Sequence, residues 1–304
     1  MAPQLALSRQ SLPEGEGWAY EPKWDGFRAI VFVDGSEVVV QSRTGKPLGR
    51  YFPELSFLPG RYVLDGEIVI GDAEGQDFGA LQQRIHPARS RIERLAAETP
   101  ARLVAFDALA VEGEPLLDRP LAERREALTP LAGGSVSVAE HTADIAVAAR
   151  WLEVGEGVLA KRLDAPYRPG ERHGMVKVKR IRTIDCVVVG WRPGKEEGTV
   201  GALILGLFEP AGELVVVGHA SGFTRERKRE LLDLLEPYHT GERGHGEPSR
   251  WSAGRDTEWV AVRPEIVIEV SYDHMSGGRI RHGARFLRLR PDRDPAGCGI
   301  DQLS

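Results

Sequence analysis

The stretch Tyr20-Glu21-Pro22-Lys23-Trp24-Asp25-Gly26-Phe27-Arg28 decides how this chain reads. It sets a lysine two residues before an aspartate, then a glycine, then an arginine. Alone, such a run is equally a charged turn ahead of a strand. The residues downstream give it weight. Ser42-Arg43-Thr44-Gly45 follows a first hairpin, and Leu64-Asp65-Gly66-Glu67-Ile68 lies inside a hydrophobic run. Phe106-Asp107 comes next, then Glu156-Gly157-Val158-Leu159-Ala160-Lys161 and Met175-Val176-Lys177-Val178-Lys179. The last is Arg285-Phe286-Leu287-Arg288-Leu289-Arg290-Pro291-Asp292-Arg293.

The β-rich runs at 28–33 and 37–41, joined by Asp34-Gly35, predict a hairpin. Further strands are expected at 62–70, 102–111, 158–163 and 175–180, and helices at 78–84, 89–99, 121–128 and 144–154. The motif residues then fall on strand ends and turns facing one cleft, in an antiparallel-rich α+β domain. Near Arg182 the texture changes to short strands at 185–191, 201–208 and 213–219. A helix at 224–235 and strands at 266–272 and 285–289 complete the pattern. Five strands and a helix suit an OB-fold or another small barrel.

In this order and spacing the motifs resemble those of the covalent nucleotidyltransferases, and among them the ATP-dependent DNA ligases. The details are most similar to the small bacterial ligase C and ligase D ligase-domain type, and the resemblance covers nearly the whole chain. It implies a nucleotidyltransferase (adenylation) domain over residues 1–182 and an OB-fold β-barrel over 183–304. About twenty residues precede the first motif, so the helical DNA-binding domain of larger ligases is not expected. Polymerase, nuclease and NAD-specific modules are not expected either. The implied substrates are ATP and nicked duplex DNA, the metal Mg2+ or Mn2+, and the role DNA repair, as a monomer working with DNA-repair proteins. An RNA ligase or a capping-type nucleotidyltransferase on the same scaffold is the alternative. A non-catalytic OB protein with a degenerate enzyme domain is a second, against which the presence of every motif side chain argues.

The resemblance also implies a role for each residue. Lys23 is the adenylated nucleophile. An ordinary lysine has a pKa near roughly 10.4, so a nucleophilic one needs cationic neighbours or partial burial. Asp25 orients it or assists a metal, and Gly26 lets the backbone pass close to a ligand. Glu21 sits beside the adenine and Phe106 stacks on it. Arg28 and Glu67 contact the ribose hydroxyls, and Arg43 binds phosphate, at the nick for preference. Glu156, with Glu67, ligates the metal. Lys177 and Lys179 alternate with valines, so both point to one strand face and grip the α-phosphate. Arg172 sits near the nucleotide phosphate. Arg288 and Asp292 act on the pyrophosphate leaving group; Arg293 stands where many ligases have lysine.

Composition excludes little. The charge is −5, with 41% hydrophobic and 28% charged residues. Residues 279–293 nevertheless hold six arginines and one acid, Asp292, a local +5. No run of about 18 apolar residues suggests a membrane span, and residues 1–17 lack a secretory pattern, so a cytoplasmic location is expected. Two cysteines, Cys186 and Cys298, form neither a metal cluster nor a disulfide framework.

Overall fold

The computed structural model describes residues 1–71, 75–245, 258–273, 275–276, 278–280 and 283–303. Arg281, one of the six arginines counted above, lies outside them. The chain forms two compact units, Met1–Arg180 and Ile181–Ser304.

The first unit carries two sheets. The smaller has β1 (Leu7–Arg9) and β2 (Trp18–Pro22) at its edges. The larger begins with β3 (Phe27–Asp34) and β4 (Glu37–Ser42). Their loop is Gly35-Ser36, one residue later than the sequence suggested, because Asp34 still pairs with Glu37. Gly35 takes φ +62°, the positive value that tight hairpins require at this position. Next come β5 (Arg61–Val69), α1 (Phe78–Gln83), α2 (Arg89–Glu98) and β6 (Arg102–Val111). After β7 (Glu114–Pro115) come α3 (Leu121–Leu128) and β8 (Val136–Val138). The order in the larger sheet is β4-β3-β5-β6-β7, with β8 also on β6.

Helix α4 (Ile145–Val154) is capped by Asp144, whose side chain accepts from the Ala146 amide. That satisfies one of the free N–H groups at the helix start. The chain then returns to the smaller sheet as β9 (Gly157–Arg162) and β10 (Met175–Lys179), giving the order β1-β10-β9-β2. Leu64, Leu81, Leu103 and Leu128 are fully buried under the larger sheet. Tyr20, Val158 and Val178 pack under the smaller one with α4. Residues 23–26 are therefore the short connection from the small sheet to the large.

The second unit contains more strands than the sequence suggested. They are β11 (Arg182–Pro193), β12 (Val200–Phe208) and β13 (Leu214–Ser221), then β14 (His239–His245) and β15 (Glu258–Val262) after the helix α5 (Arg225–Leu235). They continue as β16 (Val267–Tyr272), the short pair β17 (Met275–Ser276) and β18 (Arg279–Ile280), and β19 (Arg285–Leu289). Strand β11 organises the sheet. Its first half pairs with β16, its second with β15, and β12 lies along its other edge. A register shift between Val188 and Gly190 marks the change of partner, as a bulge that bends a strand does. Ile184, Cys186, Leu205 and Ile268 fill the core against Leu231 and Leu235 of α5. Both cysteines are buried and free.

Candidate active site

Lys23 sits at the crossing from β2 to β3. Its main-chain N–H donates to the Gly157 carbonyl at the head of β9, 2.9 Å away. Its Nζ lies 3.9 Å from Asp25 Oδ1, with the lysine side chain 21% exposed. Gly26 is also needed here for the packing of the chain itself. A Cβ on it would stand 2.2 Å from the Ile68 carbonyl oxygen of β5. The crowding comes from the protein's own backbone, which draws the lysine loop onto the large sheet.

One cleft of the first unit is lined by Lys23, Asp25, Arg28, Arg43, Glu67, Arg172 and Lys177. Seven residues far apart in the chain thus converge. Lys177 is half-buried, and burial followed by the charges of Lys179, Lys23, Arg43 and Arg172 depresses its pKa. Such a concentration of positive charge suits a polyphosphate. Lys179, at the end of β10, is exposed and is not among the residues lining the cleft. Burial pushes the Glu67 carboxyl up to about 7, against the pull of Arg28 and Lys23 and with the push of Asp65 and Asp25.

Arg28 does not grip Glu67. Its Nε and Nη2 form a fork on Asp65 at 2.6 and 2.7 Å. Asp65 is fully buried and also accepts from the Tyr167 hydroxyl at 2.6 Å. Phe106 is 3% exposed. The Arg28 guanidinium and the Lys161 ammonium lie over its ring at 4.4 and 4.2 Å. Glu21, 1% exposed, is paired with Arg125 and with Lys161. Arg125 further donates to the carbonyls of Ala139 and Phe106. The neighbouring Arg124 forks onto Asp107 at 2.7 and 2.8 Å.

Sequence reasoning missed Asp65, Lys161, Tyr167 and the pair Arg124-Arg125. Asp65 and Lys161 stood inside quoted motifs without a role. Arg124-Arg125 on α3 reads as surface charge, and only the buried carboxylates of Asp107 and Glu21 show otherwise.

Glu156 precedes β9, partly exposed, and its carbonyl accepts from the Arg180 amide. It is not among the cleft-lining residues. Among the described residues, no three His, Cys, Asp or Glu side chains gather as a metal cage.

Arg288 and Asp292 belong to the second unit and to another cluster. Arg290 Nη1 donates to both oxygens of Asp185 at 3.0 and 3.1 Å, while its Nε and Nη2 hold Asp292 at 2.9 and 2.8 Å. Arg293 Nε donates to Asp185 at 3.0 Å, and Arg288 Nε to Glu269 at 2.6 Å. The Arg290 bond holds the exposed Asp292 carboxyl down at about 2. Three of the six arginines read from residues 279–293, Arg288, Arg290 and Arg293, are thus met by carboxylates from β11 and β16.

A lysine at the mouth of a cationic cleft, between two sheets and ahead of a strand-rich second unit, defines a covalent nucleotidyltransferase of the ligase kind. Residues 3–179 match the family described as ATP dependent DNA ligase domain, and residues 196–293 the ATP dependent DNA ligase C terminal region. The chain belongs to the ATP-dependent DNA ligases, and its fold is α+β, a nucleotidyltransferase domain followed by an OB-fold domain. It is 48% identical to DNA ligase C1 of Mycolicibacterium smegmatis, over 99% of this chain and 93% of that one. It is 35% identical to the multifunctional non-homologous end joining protein LigD of the same organism, over 97% of this chain and 39% of that one. Among solved structures it resembles mycobacterial DNA ligase D complexed with ATP and MES, with a TM-score of 0.54 and 32% identity, over 98% and 97% of the two chains. Among the described residues, no helix is long and apolar enough to cross a membrane.

Proposed function

We propose that this ATP-dependent DNA ligase forms its lysyl-AMP on Lys23 and seals nicks in duplex DNA in a repair setting. The observation that carries the assignment is the convergence of Lys23, Arg43, Arg172 and Lys177 on one cleft. In the first step the neutral Lys23 amine attacks the α-phosphorus. A P–N bond forms, the bond to the bridging oxygen breaks, and pyrophosphate leaves with the electron pair. The lysine proton must depart before or during attack. Lys177, with Lys179 behind it, neutralises charge on the α-phosphoryl oxygens. The AMP then passes to the 5′-phosphate of the nick, held by Arg43. The 3′-hydroxyl attacks that phosphate and AMP leaves.

Glu21 and Phe106 are nearly fully buried, are engaged by Arg125, Lys161 and Arg28, and are not among the cleft-lining residues. They back the adenine side of the site through those cations, and Arg28 with Glu67 meets the ribose. Asp65 and Tyr167 keep Arg28 aimed. The exposed arginines of the second unit, Arg288 foremost, orient the pyrophosphate together with Asp292. The donor set fits a magnesium-like ion, which takes one or two carboxylates with substrate phosphates and keeps several waters. Glu67, whose carboxyl burial raises, with Asp25 beside it and Glu156 as a further candidate, would hold it. When bound, such an ion supplies charge neutralisation on the phosphate oxygens. The likeness to an end-joining protein supports the repair setting.

The test is label transfer from α-labelled ATP or GTP to the protein, with and without chelator, followed by sealing of DNA and RNA nicks. ATP labelling that needs a divalent ion, then DNA sealing, is expected. Preference for GTP, or sealing of RNA nicks alone, would favour the capping-type or RNA-ligase alternative.

A further inference from the structure

In the second unit, Asp185 of β11 is the cross-strand partner of Glu269 on β16, and Glu269 is the partner of Arg288 on β19. Direct partners share a sheet face, so the three side chains form one transverse row. Two adjacent carboxylates in such a row repel each other. Arg290 reaches between them, with Nη1 at 3.0 Å from Asp185 and 3.8 Å from Glu269. A neutral pair would complete the sheet without that repulsion. What the carboxylates add is control of the arginines.

The arginines are held in two ways. Arg290 is 14% exposed in its side chain and uses Nε, Nη1 and Nη2 on Asp185 and Asp292. It is a strut with no edge turned outward. Arg288 and Arg293 are 64% and 57% exposed. Each is described with a single carboxylate bond, made through Nε. A grip at Nε fixes the guanidinium plane and leaves the two Nη groups to fork onto a phosphate anion.

We infer that Glu269 is a positioning residue for self-adenylation, holding Arg288 by Nε so that its Nη pair meets the departing pyrophosphate. Asp185 does the same for Arg293 and anchors Arg290 beneath. This rests on the reading that Arg288 acts on pyrophosphate. The same fork would also suit a phosphate of the DNA backbone, and the two sources separate by reaction step.

The experiment compares Arg288→Ala, Glu269→Ala and Glu269→Gln in the full chain. Three quantities are read: self-adenylation against ATP concentration, sealing of a pre-adenylated nick, and melting temperature. Glu269→Ala should lower the adenylation rate at saturating ATP by about tenfold, because a misplaced orienting group acts on the transition state. Its apparent KM for ATP, its sealing of pre-adenylated nicks and its melting temperature should change little. Glu269→Gln should restore most of the rate, since its amide oxygen still accepts from Nε. If Arg288→Ala loses adenylation selectively while Glu269→Ala does not, the positioning role is overturned and the reading of Arg288 stands. If Arg288→Ala loses both steps equally, DNA binding is the role of the strand and both ideas go. Equal loss in both steps with a lowered melting temperature for Glu269→Ala and Glu269→Gln would make Glu269 a structural residue and overturn the inference.

Discussion

In the first unit, Arg124 and Arg125 are buried and Arg28, on the cleft wall, is partly buried; the three are committed to Asp107, Glu21 and Asp65. In the second unit, Arg288 and Arg293 stand more than half exposed, each held at one nitrogen. Buried forks cannot turn toward a ligand without leaving a carboxylate unpaired in a poorly solvated place. Exposed ones lose little by exchanging a partner, because water screens both states. The first arrangement suits a fixed template, and the second suits groups that exchange an anionic partner.

Four substitutions and a control would break or sharpen that contrast. Lys23→Ala should abolish labelling by α-labelled ATP, as expected for the nucleophile, with the melting temperature unchanged. Persistent labelling at the same stoichiometry would assign the nucleophile elsewhere. Asp65→Ala leaves Arg28 and the Tyr167 hydroxyl without their buried acceptor, and should cost about 3–5 kcal/mol in denaturant unfolding. A loss below about 1 kcal/mol would show that the template is softer than its burial suggests. Lys177→Ala should slow both self-adenylation and sealing of a pre-adenylated nick by about 100-fold, because the α-phosphate is present in each. Selective loss of one step would narrow its role. Asp292→Ala should slow self-adenylation by about tenfold and pre-adenylated sealing far less, with no change in melting temperature. As the control, Arg89→Ala removes an exposed pair with Glu93 and should move the melting temperature by about 1 °C or less.

Much of this was legible in the sequence. The motif order assigns the family, and Asp144 and Thr224 mark helix starts that the structure caps with those same side chains. The first hairpin was placed within one residue. Strands β2, β14 and β15 were not foreseen, nor were the short strands β1, β7, β8, β17 and β18. Trp18–Pro22 ends in proline, and His239–His245 is nearly all exposed with no apolar alternation, so neither carries a period-two signal. In the site, seven of the motif residues named from the sequence line one cleft, and they were readable because phosphate chemistry restricts their type. Those that hold them were not. Asp65 and Arg125 act through partners 37 and 104 residues away, and no local pattern encodes such a distance.

The row Asp185, Glu269, Arg288 also bears on how the second unit assembles. Strands β11 and β16 bring two carboxylates side by side, and the cations that reconcile them, Arg288 and Arg290, come last in the chain. During synthesis the β11–β16 ladder is complete in sequence before those arginines emerge. The ladder is therefore expected to reach its full stability only when β19 docks. Long-range strand pairing is slow in any case, and here electrostatics adds a waiting step. In pulsed hydrogen exchange during refolding, amides of β16 should gain protection together with those of β19, and not with the earlier β11–β12 hairpin.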